Sequence, residues 1–175
     1  TECFMGLHTP FEASETVRLT SLGGPTPTFE ARMVGADGAV VPDGAEGELQ
    51  IRGCSLFAGY FGNDEANRQA FTSDGWFCTG DLAMRGGDGL VRLTGRVKDL
   101  INRGGIKINP ADIEALIDGH PAVLQSAIVP IPDPVLGEKA CLVLVLKPGA
   151  TITLDAARAH LAANNVAKMK WPEDI

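Results

Sequence analysis

Polar and apolar positions alternate in short runs through the first half of the chain, which is the rhythm of half-buried strands. Phe29 to Val34 reads as a strand after the Gly23-Gly24-Pro25 loop, and Asp37-Gly38 supplies two residues that tolerate the positive φ of a tight hairpin. Glu48 to Arg52 alternates in the same way. Trp76 to Cys78 and Leu82 to Met84 read as strand pieces, and Gly86-Gly87-Asp88-Gly89 turns the chain into a further strand over Leu90 to Thr94. One helix interrupts, over Asn63 to Phe71, with Asn63 as N-cap and with Asp64 and Glu65 in the first turn, where the helix dipole favours acids. The first twenty-odd residues carry no clear period and read as irregular.

Beyond Arg96 the rhythm changes. Leu100-Ile101 is followed by a Gly104-Gly105 turn, and then Asn109-Pro110 opens a helix by cap and first-position proline, with Ile113, Leu116 and Ile117 on its apolar face. His120-Pro121 ends that helix. Val123 to Pro130 and Ala140 to Leu146 read as strands, and Leu154 to Ala163 as an amphipathic helix. The change of pattern places a domain boundary at Val97 to Asp99, with a β-rich part over 1–97 and a small α+β part over 98–175.

Composition narrows the function classes. With 45% hydrophobic and 21% charged residues, the 175-residue chain is ordinary for a folded protein. A formal charge of -7 and no cluster of Lys and Arg argue against a nucleic-acid partner. The longest apolar run, Ala140 to Leu146, is far shorter than the roughly 20 residues a membrane-spanning helix needs. Cys3, Cys54, Cys78 and Cys141 form no C-x-x-C pair and His8, His120 and His160 share no ligand spacing, so no zinc site or disulfide framework is expected, and a reducing cytoplasm fits the thiols.

Three places could carry chemistry. Asp81, after Thr79-Gly80, could accept hydrogen bonds from neighbouring sugar hydroxyls, but alone the triplet is a weak signal and a turn using Gly and Asp for backbone reasons is the plainer explanation. Arg96 puts a guanidinium across one hairpin from it, where a solvated charged face is the plain alternative. Gly104-Gly105 could admit a narrow substrate arm, or could simply form a turn.

In order along the chain, Thr1-Glu2, Gly47-Glu48-Leu49 with Arg52-Gly53, Gly59-Tyr60, Asp74-Gly75-Trp76-Phe77-Cys78-Thr79-Gly80-Asp81, Gly95-Arg96-Val97-Lys98-Asp99, Arg103-Gly104-Gly105 with Ile108, Pro110 and Ile113-Glu114, and Pro132-Asp133-Pro134 with Gly137-Glu138 resemble the adenylate-forming superfamily of acyl- and aryl-CoA ligases, adenylation domains and luciferases. Each piece is common; the ordered set is specific and spans nearly the whole chain. The resemblance is to an AMP-forming acyl-CoA synthetase, and it implies an α+β fold: the β-rich end of a large AMP-binding domain, part of a distorted barrel-like subdomain, over 1–97, then a small hinged C-terminal domain over 98–175.

The reaction so implied has two steps. A carboxylic acid attacks ATP to give an acyl-adenylate and pyrophosphate, and the CoA thiol then displaces AMP. The resemblance assigns Thr1 to the AMP phosphate and Glu2 to catalysis through Mg2+, a hard cation that takes oxygen ligands. Asp81 and Arg96 become ribose contacts, Lys98 the hinge, and Gly104 and Gly105 the passage for CoA pantetheine. The Lys170-Trp171-Pro172 element lies ahead of the family's catalytic lysine, so the chain is expected to be truncated before that residue and inactive by itself. Glu173 and Asp174 stand where relatives often carry basic residues. The implied partners are the acid, ATP and CoA, with no nucleic acid and no membrane span, and a homodimer as the assembly to test. An acyl- or aryl-AMP ligase that loads a carrier protein, and a non-catalytic interaction module, remain the alternatives.

Overall fold

The computed structural model describes residues 2, 3 and 6–175, and the chain divides into two compact units, Thr1–Val97 and Lys98–Ile175. In the first unit, β1 (Leu7–His8) pairs with β2 (Gly24–Pro25), and between them lies α1 (Glu15–Thr20). The main sheet is β3 (Phe29–Val34), β4 (Glu46–Gly53), β5 (Phe77–Arg85) and β6 (Val91–Arg96), paired antiparallel in that order, with α2 (Asp64–Ala70) between β4 and β5 in sequence. Phe29, Met33, Leu49, Ile51, Phe77, Ala83 and Val91 form its core, and Phe57, Tyr60, Phe71 and Phe77 extend it as a stack of rings 4.9–5.5 Å apart.

Strand alternation sends the intervening side chains to the other face. There Trp76, only 7% exposed, is sandwiched between two guanidiniums, Arg32 at 4.3 Å and Arg52 at 4.6 Å from its ring centre. Each arginine is anchored in turn, Arg32 on Gln50 and Asp74 and Arg52 on Glu30. The cation–π contacts and the buried indole explain why a tryptophan is covered without joining the main core.

The second unit holds a sheet in the order β8 (Ile106–Ile108), β7 (Ile101–Arg103), β10 (Gly137–Leu146), β9 (Val123–Asp133), with α3 (Pro110–Asp118) packed against β9 and α4 (Leu154–Ala163) against α3. Ile101, Ile108, Ile113, Ile117, Val123, Ile128, Ala140, Leu142, Ala157 and Leu161 are all at most 4% exposed. The Asn109 side chain accepts from the Ala111 N–H and Pro110 occupies the first turn, so α3 starts where its cap residues demand. β9 is a terminal strand of the sheet, and it carries Pro130 and Pro132.

Three local differences from the sequence expectation have physical reasons. α1 exists within the stretch read as irregular; it has six residues, none buried, and rests on the Ser14 side chain capping the Val17 N–H, a signal too short to give a period. β5 is one continuous strand rather than two pieces, because a bulge at Thr79 to Asp81 breaks its alternation without ending its pairing. β7 and β8 form a hairpin around Gly104-Gly105, with strands of three residues each, below the length at which alternation can be read.

Candidate functional site

The β5–β6 ladder brings Asp81 directly opposite Arg96, and Arg96 Nε lies 2.9 Å from Asp81 Oδ1. Their side chains remain 32% and 49% exposed, so the pair contributes little to stability and stays open to a ligand. Both line a cleft of 480 Å³ with Glu2, Cys3, Leu49, Tyr60 and Thr79. Three residues singled out in the sequence, Glu2, Asp81 and Arg96, thus meet in one concavity of the first unit.

Glu2 is held at two levels. The Phe57 N–H donates to its carbonyl at 2.8 Å, and the Tyr60 hydroxyl donates to its carboxylate at 3.2 Å. Tyr60 is itself fixed by Asn67 of α2, whose Oδ1 accepts the Tyr60 N–H at 2.6 Å and whose Nδ2 donates to the Tyr60 carbonyl at 3.0 Å. Burial, with the adjoining Glu2 carboxylate, raises the Tyr60 phenol above its usual 10.0, which keeps it a donor. Burial likewise raises the Cys78 thiol above its usual range, helped by the Glu48 carboxylate, which favours the thiol over the nucleophilic thiolate. Thr1 lies outside the described residues.

Asp81 stands where it does because of the bulge before it. The Asp81 N–H donates to Thr79 Oγ1 at 3.1 Å, Thr79 Oγ1 donates to the Leu49 carbonyl at 2.8 Å, and the Gly80 N–H donates to Glu48 Oε1 at 3.2 Å. Gly80 has φ +72°, a conformation side chains rarely adopt. Glu48, Thr79 and Tyr60 were not selected from the sequence as site residues. Tyr60 carried no signal beyond a place in the ordered motif set, and the contacts of Glu48 and Thr79 depend on a strand register invisible to spacing.

The other candidates lie in the second unit. Lys98 is exposed in a short 3-10 helix, Val97–Asp99. Gly104 and Gly105 are the two central residues of the β7–β8 hairpin, at φ +56° and +90°, the pattern a type I′ turn requires. A Cβ on Gly104 would lie 3.1 Å from Leu136, whereas one on Gly105 would meet open space. A second concavity, 860 Å³, is lined by Arg103, Arg158, Lys168, Met169 and Trp171 among others. Arg103 is ion-paired with Glu173 there, and Arg158 Nε donates to the Pro172 carbonyl at 2.9 Å. Among the described residues no three His, Cys, Asp or Glu side chains gather closely enough to cage a metal.

Residues 112–175 match the family model described as the AMP-binding enzyme C-terminal domain. The chain is 40% identical over 158 residues to a sulfoacetate–CoA ligase of Cupriavidus necator, covering 90% of this chain and 31% of that protein. This chain belongs to the adenylate-forming AMP-binding enzymes. A family member named as a salicyl-AMP ligase / salicyl-S-ArCP synthetase, from Mycobacterium tuberculosis, is 42% identical over 149 residues, covering 85% of this chain and 26% of its own length. The ATP-bound structure of MatB from Rhodopseudomonas palustris superposes with a TM-score of 0.84 at 33% identity, covering 95% of this chain and 33% of that one. The chain therefore spans about a quarter to a third of the length of these family members. None of the described helices is long and apolar enough to cross a membrane.

Proposed function

We propose that this chain supplies the ribose-binding end of the nucleotide site and the acceptor-delivering domain of an ATP-dependent carboxylate–CoA ligase. The observation that carries the reading is the Asp81–Arg96 pair, solvent-accessible and sharing a cleft with the Glu2 carboxylate. The Asp81 carboxylate would accept hydrogen bonds from the two ribose hydroxyls, in the bidentate manner its two oxygens allow, while Arg96 holds its orientation and adds a donor. Glu2 shares the cleft with Asp81 but, among the described residues, with no cluster of three His, Cys, Asp or Glu, which fits Mg2+ bound in the usual nucleotide manner, through one or two carboxylates plus phosphate oxygens and water, rather than in an all-protein cage. Bound there, Mg2+ would neutralise phosphate charge. Tyr60 would keep the Glu2 carboxylate turned into the cleft.

In the second unit Lys98 is read as the hinge residue between adenylating and thioester-forming poses. Gly104 and Gly105 are read as the bare backbone past which pantetheine reaches the adenylate. The positive φ values at both positions also suit a type I′ turn, which glycine adopts without strain. A cytoplasmic location and a role in fatty-acid or aromatic-acid metabolism belong to the same proposal.

The test is loss of free CoA thiol, dependent on ATP and a carboxylic acid, by the gene product that encodes this chain, across short, medium and aromatic acids. Thiol loss with AMP release supports the ligase. AMP formation without thiol loss supports a carrier-protein acceptor, a reading favoured by the similarity to a salicyl-S-ArCP synthetase. No turnover with any acid supports a non-catalytic role. Within an active enzyme, Asp81→Ala should impair both half-reactions, whereas Lys98→Pro should spare adenylation and suppress thioester formation.

A further inference from the structure

Asp81 is the acid on which the proposed nucleotide site turns, and it stands at an irregularity in the β4–β5 ladder. Gln50 pairs with Cys78 and Glu48 with Leu82, so Thr79, Gly80 and Asp81 together face the single residue Leu49. An insertion of this kind leaves N–H groups without ladder partners. Two side chains take them: the Thr79 hydroxyl accepts from the Asp81 N–H while donating to the Leu49 carbonyl, and Glu48 accepts from the Gly80 N–H. Glu48 does not line the cleft, and strand alternation sets it on the side of Gln50 and Arg52, away from Leu49 and Ile51. Its hydrogen bond to the site is made to the backbone of the bulge, at the Gly80 N–H.

We propose that Glu48 is a positioning residue for ribose recognition: by accepting the Gly80 N–H it fixes the bulge that directs the Asp81 carboxylate into the cleft. This rests on the reading of Asp81 as the ribose acceptor. A charged oxygen suits the task, because a carboxylate holds an N–H more strongly than a neutral acceptor does. A residue that merely supports the sheet would influence every ligand equally. One that acts through Asp81 influences only ligands with ribose hydroxyls.

The discriminating pair is ATP and 2′,3′-dideoxy-ATP, with binding measured by calorimetry on the gene product that encodes this chain. Wild type should favour ATP, and Asp81→Ala should abolish that preference. Glu48→Ala should weaken ATP by about tenfold while leaving dideoxy-ATP unchanged, and Glu48→Gln, whose amide oxygen still accepts from Gly80, should stay within about threefold of wild type. Equal weakening of both nucleotides, or undiminished ATP binding by Glu48→Ala, overturns the proposal and leaves the Asp81 reading intact. No preference in wild type overturns the Asp81 reading itself and the proposal with it. If Glu48→Ala does not fold, Glu48→Met keeps the chain length without the acceptor; loss of the preference supports the proposal and retention overturns it.

Discussion

The two units present their candidate chemistry in opposite ways. In the first, charged side chains distant in sequence, Glu2, Asp81 and Arg96, meet because strands pair in a particular register and because one strand bulges. In the second, the candidate feature is backbone, a two-glycine turn whose shape is set by its own torsions, standing on a core of aliphatic residues that are almost entirely excluded from solvent. Site geometry in the first unit should therefore answer to residues that never touch a ligand. In the second it should answer mainly to the turn itself.

The largest expected effect is on the aliphatic core. Leu142→Ala should destabilise the second unit by about 3 kcal/mol, read from denaturant unfolding followed through Trp171, which stands in that unit while Trp76 stands in the first. Next come the paired glycines. Gly80→Ala and Gly105→Ala each place a Cβ in open space at positive φ, so each should lose about 1–2 kcal/mol of stability from torsion alone. Only Gly80→Ala should also weaken ATP binding; if Gly105→Ala weakens it as much, the contrast between the units breaks. A smaller change is expected from Arg52→Ala, which uncovers one face of Trp76: about 0.5–1 kcal/mol, with a red shift of indole emission in a Trp171→Phe background.

Smallest is a pH effect. Hydrogen bonds from Arg92, and then from the Leu90 N–H, lower the Asp88 carboxyl from 3.8 to about 2. A depressed carboxyl contributes stability that is complete above its ordinary value and is lost as pH falls through the folded one. The Asp88 contribution should accordingly fade between about pH 4 and pH 2. Asp88→Asn should therefore lower Tm slightly at pH 7, and the deficit should shrink away as pH falls through that window.

What the sequence made legible follows from how local each signal is. Asn109-Pro110 marks the start of α3 because cap and first turn are made by adjacent residues, and Asn63 marks α2 in the same way. Asp81 and Arg96 could be singled out through the order of the motifs, and their spacing across one hairpin matches the ladder that joins them. Glu48 could not, since its role appears only once two extra residues are seen to stand against Leu49. Tyr60 was hidden for a similar reason: its hydroxyl reaches Glu2 across 58 residues of sequence, and the loop that carries it is fixed by Asn67, a residue read only as part of a helix. The Gly104-Gly105 turn was visible, yet its flanking strands were too short to show alternation.

The prolines of β9 bear on how this chain behaves among copies of itself. A terminal strand normally offers a row of free donors to any extended segment that drifts past, and such encounters seed aggregates during synthesis or refolding. Pro130 and Pro132 are two residues apart and thus present to the same side of β9, where neither has an N–H to offer. Glu114 already takes the Ile128 N–H on that side, so replacing both prolines would open two further donors beside the exposed apolar residues Leu124 and Val129, and the yield of unaggregated protein, rather than any step of catalysis, is where that change would be felt.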